Sequence, residues 1–215
     1  MEKILKDMPK LESPFVRKVN EKGDYGVTPE IAEGYEWVFN DDSVLATEKL
    51  NGTNVSIFIE NGVITDIYNR TERIPFFNKG KRHIIEGLLE SYSRGYMDRL
   101  RDGQHFGELI GEKVNGNDLH IKGNLWIPFE TYAQESLAYK SWGKYPKTFD
   151  AISEWFKKDL FSLYIRQHSN GKIEPPEGIV FVQPSTGKMA KLRRDMFDWF
   201  VGVRHKEVEV KDNGI

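Results

Sequence analysis

From Ser43 the chain reads SVLATEKL, a short apolar run ending at Asn51-Gly52. It continues as NVSIFIENGVITDIYN, where Val55, Ile57 and Ile59 alternate with Ser56, Phe58 and Glu60 before a second Asn-Gly at 61 and 62. A period of two puts alternate side chains on opposite faces of a strand, and Asn-Gly is a strong signal for a two-residue hairpin link. The stretch is expected to be a meander of antiparallel strands. HFGELIG and NLWIPFETYA, further on, have strand-like composition as well.

Helical spacing takes over in KGKRHIIEGLLESYSRGYMDRLRDG, where Ile84, Ile85, Leu88, Leu89 and Tyr92 recur every three or four residues. It returns in TFDAISEWFKKDLFSLYIRQHSNG, read as one helix from a cap near Thr148 to a stop at Asn170-Gly171. EGIVFVQPSTGKMAKLRR then predicts two strands about Pro184 to Gly187, with Glu177 on one arm and Lys191 on the other, both towards the open end. DMFDWFVGVRH is read as a closing helix.

The 215 residues contain no internal repeat or obvious linker, and the loop QESLAYKSWGKYPKT is too aromatic for a domain boundary. One α+β domain over 1–215 is expected, with twisted antiparallel sheets and flanking helices. With 31 basic against 33 acidic residues, any nucleic-acid site has to be local. The absence of cysteine removes disulfides, thiolate zinc sites and cysteine nucleophiles, and suits a reducing compartment. The charged start and the lack of a membrane-length apolar run give the expectation of a cytoplasmic protein with no membrane partner.

Taken singly, the polar motifs have ordinary readings. Glu48-Lys49 beside a turn suits an exposed ion pair, Phe129 in an apolar stretch suits core, and KLRR suits a solvated basic edge. His105, His120 and His168 lack metal-ligand spacing, so no zinc site is expected. Phe76 and Phe77 followed by KGKR at 79 to 82 fit either a surface that tracks a nucleic-acid backbone or simply the start of a helix.

Their order along the chain changes this. EKLNGTN around Lys49, NRTER around Arg70, FGELIG around Glu108, IPFETYA around Phe129, EGIVFV around Glu177 and AKLRR around Lys191 occur in the order of the six motifs of the covalent nucleotidyltransferase superfamily of ligases and capping enzymes. The residues flanking Lys49 most resemble the RNA ligase 2-like branch, which includes phage nick-joining ligases and kinetoplastid RNA-editing ligases.

The resemblance implies a nucleotidyltransferase (ATP-grasp-like) ligase domain with its nucleotide between the sheets. It also implies an ATP-dependent RNA ligase, phage-like and suited to RNA repair, acting in a host cytoplasm in the phage case. Lys49 would attack the α-phosphorus of ATP to give lysyl-AMP. The AMP would pass to an RNA 5′-phosphate, and a 3′-hydroxyl would displace it, the ends being duplex-aligned. An ordinary lysine is neutral about once in 2,500 molecules at pH 7, so its surroundings must disfavour the ammonium by about 4 kcal/mol.

The same resemblance assigns Arg70, Lys191 and Arg193 to the α-phosphate, Glu177 to Mg²⁺ (or Mn²⁺), Glu108 to the ribose hydroxyls and Phe129 to adenine stacking. Asn54 falls in the nucleotide pocket, and Glu48 would accept from the adenine amino group, favouring ATP over GTP. Arg193 stands where the family usually has lysine, and Asn51 where DNA ligases have aspartate. The chain runs about 22 residues past Arg193, so no separate C-terminal RNA-binding domain is expected, and a protein partner could replace one. A capping-type or DNA-ligase-type nucleotidyltransferase, or a catalytically silent RNA-binding module, are the alternatives.

Overall fold

The structure is a computed structural model that describes residues 4–20, 23–144 and 146–204. Three antiparallel sheets carry the chain, with helices packed outside them, as the α+β reading expects. β1 (Phe15–Val19) and β2 (Tyr25–Ile31) form a hairpin, with a short α1 (Trp37–Asn40) after it; the periodicity reading contained none of these three.

β3 (Leu45–Lys49) joins β9 (Gly178–Val182) and β10 (Met189–Arg193) in a three-stranded sheet of order β10-β9-β3. β4 (Thr53–Glu60), β5 (Val63–Asn69), β6 (Glu72–Arg73), β7 (Gly103–Gly111) and β8 (Asn124–Pro128) form the larger sheet, of order β6-β5-β4-β7-β8.

Asn61-Gly62 is the hairpin link the sequence announces. Both residues have positive φ, and Asp102 accepts from both backbone N–H groups at 2.8 and 3.1 Å. Asn51-Gly52 is different. Neither residue has a positive φ, and β3 and β4 do not pair, so this turn hands the chain from one sheet to the other instead of closing a hairpin. Glycine is required there for room: a Cβ on Gly52 would lie 2.3 Å from the Leu109 carbonyl oxygen and 2.6 Å from Glu108 Cγ. Lys49 consequently sits at the junction of the two sheets.

One face of the small sheet is apolar, with Ala46, Ile179, Phe181, Ala190 and Leu192 buried against Ile152, Trp155 and Phe156 of α4 (Phe149–Lys158). In the large sheet Val55, Ile57, Ile59, Leu109 and Trp126 pack on Ile84 and Leu88 of α2 (Arg82–Ser93). Both helices use the spacing read from the sequence, and Thr148 caps α4 by accepting from Ala151 N–H.

Three expected elements differ. The helix from Thr148 to Gly171 is broken: α4 ends at Lys158 and α5 (Leu163–His168) starts afresh. Between them Ser162 N–H donates to the Glu174 carbonyl, and Ser162 Oγ and the Glu48 carboxylate accept from Ile165 and Tyr164 N–H, so side chains replace the i−4 carbonyls. The closing helix over DMFDWFVGVRH is a single 3₁₀ turn, Arg194–Met196. Phe197 is buried and Trp199 stacks on it, an i, i+2 pairing that a helix does not allow; His205 falls outside the described residues. NLWIPFETYA is strand only to Pro128. Phe129–Ala133 forms a π-helical turn leading into the short α3 (Gln134–Ser136). Among the described residues no helix is long and apolar enough to cross a membrane.

Candidate active site

The register of the small sheet decides which side chains meet. Lys49, Gly178 and Arg193 lie in one cross-strand row, and Thr47, Val180 and Lys191 in the next, all on the face opposite the α4 core. On the large sheet Asn54 and Glu108 are register partners and share a face. Between the two sheets lies a cleft of about 330 Å³, within the size range of small-molecule sites. Lys49, Asn54, Arg70, Glu108, Phe129 and Lys191, far apart in sequence, all line it. Two wider grooves elsewhere hold none of the expected site residues except Arg193.

At the floor, Lys49 Nζ is 2.7 Å from Glu177 Oε2, both side chains mostly buried at 22 and 14 % exposure. The contact follows from β-pairing, because Lys49 opposes Gly178, the residue after Glu177. Gly178 also needs its missing side chain, since a Cβ would stand 2.2 Å from the Leu192 carbonyl oxygen.

Glu108 faces the same ion pair. Burial pushes its carboxyl up to about 7, against the pull of Lys49, with Glu177 pushing further and Arg70 and the Gly52 N–H opposing. Two carboxylates converge beside the nucleophile candidate. That donor set fits Mg²⁺ or Mn²⁺, which takes one or two protein carboxylates and fills its remaining positions with water and substrate phosphate. Among the described residues no group of three or more His, Asp or Glu side chains could hold a metal by itself.

Two expected residues have their charged groups paired away from Lys49. Glu48 lies between Thr47 and Lys49, so strand alternation sends its carboxylate to the opposite face. There it accepts from Ser162 Oγ at 2.5 Å and Tyr164 N–H at 2.9 Å, holding the start of α5, while the residue itself still lines the cleft. Arg193 shares Lys49's row but is two strands away, about 10 Å, with Gly178 between. Its guanidinium is buried in a pair with Asp195 (Nε to Oδ1, 2.9 Å) on the border of a different groove, away from the site expected for an α-phosphate.

The structure also adds residues. Met8 to Leu11 form one wall of the cleft, held by Arg70, whose Nη1 donates to the Met8 carbonyl at 2.8 Å, and by Lys191 N–H, which donates to the Glu12 carbonyl. The π-helical turn brings Ala133 and Gln134 to the cleft along with Phe129. Asn51, behind the nucleophile, donates to Asp118 at 2.5 Å and accepts from Asn115, so the β7–β8 loop clamps the turn. Of these added residues, only Asn51 and Ala133 fall inside a quoted motif.

Burial also pushes the Glu48 carboxyl up to about 7, although Ser162 and Tyr164 favour its ionised form. A carboxyl whose folded pKa is above its unfolded value of 4.5 makes the folded state bind more protons between those pH values. Stability should therefore fall as pH rises from about 4.5 to 7, by up to about 3 kcal/mol for this group. Glu48→Gln cannot titrate, and should reduce the slope of unfolding free energy between pH 5 and pH 8, measured by denaturant titration, leaving the share that Glu108 contributes. An unchanged slope would mean that Glu48 is not the group responsible.

No protein-family model matches the chain, and no curated protein matches it. Solved structures do. An apo RNA ligase mutant from Naegleria gruberi is 15% identical with a TM-score of 0.47, covering 90% of this chain and 59% of that one. A second mutant of Naegleria gruberi RNA ligase, with ATP and Mn, is 15% identical with a TM-score of 0.48, covering 85% and 59%. A third, with AMP and Mn, is 14% identical with a TM-score of 0.45, covering 91% and 60%. The chain thus spans about 59% of the length of the first of these structures.

Proposed function

We propose that the chain is an ATP-dependent RNA ligase of the covalent nucleotidyltransferase type, in which Lys49 becomes adenylated. The observation that carries this reading is one cleft that gathers Lys49, Glu108, Phe129 and Lys191 from four separate motifs, with Glu177 paired to Lys49. The RNA ligase 2-like branch is proposed on the residues flanking Lys49.

Lys49 is presented on the last residue of a strand held on both sides, by β9 and by the segment around Ala138. Its amine is the attacking group: a P–N bond forms at the α-phosphorus, the bond to pyrophosphate breaks, and the amine gives up a proton. Lys191, one strand beyond Val180 on the same face, offers a point charge to the α-phosphate. Arg70 shares that task once phosphate replaces the Met8 carbonyl as its partner. A divalent cation at Glu177 would neutralise phosphate charge. Glu177, engaged in that way, would give up its ion pair with Lys49.

AMP then moves to an RNA 5′-phosphate, the P–N bond breaking as an anhydride forms, and a 3′-hydroxyl attacks that phosphate to expel AMP. With Glu48 engaged elsewhere, preference for ATP over GTP rests on the motif resemblance, and labelling with each nucleotide tests it. The RNA strand, and any protein partner aligning the ends, belong to this proposal too.

Phe129 lines the cleft half-buried and has the flat face that a purine stacks on. Such a contact is made as fully in the ground state as in the transition state, so Phe129→Ala should raise the ATP concentration needed for half-maximal adenylation about tenfold while leaving the saturated rate nearly unchanged. A wild-type ATP titration would remove Phe129 from the pocket.

A further inference from the structure

Phe76 and Phe77 are 47 and 99 % exposed, in a loop that is tied down at both ends. Ile74 is buried and donates its N–H to the Ile67 carbonyl, and Ile84 is fully buried in α2. Between them Asn78 accepts from Gly80 N–H at 2.9 Å and starts a 3₁₀ turn over Lys79–Lys81 that runs directly into α2. The basic run does begin a helix, as one of the two readings of the sequence expects, and the aromatic pair before it is left outside the core.

Singly exposed apolar residues are common, but two adjacent phenylalanines on an ordered loop, one of them wholly solvated, are an unfavourable arrangement that an isolated domain has no use for. The ten residues from Arg73 to Arg82 carry four cations and no carboxylate. Lys81 and Arg82 are in ion pairs with Glu72 and Glu86 near the surface, where a phosphate competes for the cation, whereas Arg73 is held by the buried Asp66. No acidic residue occupies the first turn of α2, so the positive end of its dipole adds to the same field. The loop springs from β6, the edge strand beside β5, and no more than about 25 Å of extended chain separates Phe77 from Arg70 in the cleft wall.

We infer that Phe76 and Phe77 form a stacking platform for the unpaired bases of an RNA strand whose end lies in the cleft, with Lys79 and its basic neighbours on the phosphates. This names the substrate contact of the ligase reading and rests on it for the choice of RNA. Aromatic faces bind bases without regard to sequence, and the basic run supplies a salt-dependent grip on the backbone.

The test uses the full chain and two labelled probes, a 5′-phosphorylated single-stranded oligouridylate and an abasic phosphodiester strand of the same length, by fluorescence anisotropy at two salt concentrations. The wild type should bind the base-containing strand about tenfold more tightly. Phe77→Ala should erase that preference and Phe77→Trp should keep it. Lys79→Ala with Lys81→Ala should weaken both probes alike and reduce the salt dependence. Formation of the AMP adduct, measured in parallel, should be unchanged in all variants, because the loop is outside the cleft. A base preference that survives Phe77→Ala, or a wild type that binds neither probe, overturns the platform. Unchanged RNA binding together with loss of self-association in sedimentation would assign the loop to a protein contact and also overturn it. A wild type that shows the preference but forms no adduct would instead overturn the ligase reading and leave the platform standing.

Discussion

Lys49→Ala should abolish the AMP adduct, with adenylation falling at least a thousandfold, about 4 kcal/mol or more. The expectation rests on position as much as on residue type. Lys49 is the cleft lysine whose Nζ is bonded to the floor carboxylate, whereas Lys191 projects from the next cross-strand row and is better placed to meet substrate charge than to become covalently attached. The fold should tolerate the change. Lys49 is partly exposed at a strand end, and the residue left without its partner, Glu177, retains some access to water. Circular dichroism and a thermal melt would separate loss of chemistry from loss of fold. An adduct that persists in Lys49→Ala would mean that another side chain is the nucleophile.

Glu177→Gln pits two consequences of one contact against each other. Removing the carboxylate takes away the ion-pair partner of Lys49, which by itself would free the amine from that contact for attack. It also removes the best-placed hard oxygen ligand for a divalent cation, leaving Glu108, whose carboxyl is held near neutrality's edge at about 7 by burial. If the carboxylate serves the metal, the loss should dominate: adenylation should fall about a hundredfold at fixed Mg²⁺ and recover partly as metal is raised. If it serves only as a resting partner for lysine, Glu177→Gln should adenylate as fast as the wild type or faster, with the same metal dependence. A metal titration of the adenylation rate distinguishes the two, and the second pattern would remove Glu177 from the metal site.

How far the site was readable in the sequence depends on what decides each residue's placement. The hairpin about Pro184 to Gly187 was legible, and with it the placing of Glu177 and Lys191 on its two arms, because alternation and turn residues are local signals. What alternation does not specify is which sheet a strand joins. Asn51-Gly52 has the composition of a hairpin link yet connects two sheets, and its glycine answers to the nearness of Leu109 and Glu108, both more than fifty residues away. The surroundings of Glu48 and Arg193 were hidden for a related reason. Motif position put them beside the nucleophile, while strand alternation and the two-strand spacing put their charged ends elsewhere. The break between α4 and α5 depends on Glu48, 114 residues before Ser162, so no window along the helix could show it. The N-terminal wall of the cleft was invisible because the contacts that hold it to Arg70 and Lys191 are made largely through backbone carbonyls, with one long ion pair from Asp7 to Arg70.

The central claim is that Lys49 carries AMP, and the most direct measurement is intact mass of the wild-type protein after incubation with ATP and Mg²⁺, followed by peptide mapping. The account predicts one acid-labile AMP increment per chain, located on the peptide containing Lys49, dependent on the divalent cation and reversed by added pyrophosphate. No increment with any nucleotide, or an increment mapped to a different residue, would contradict it.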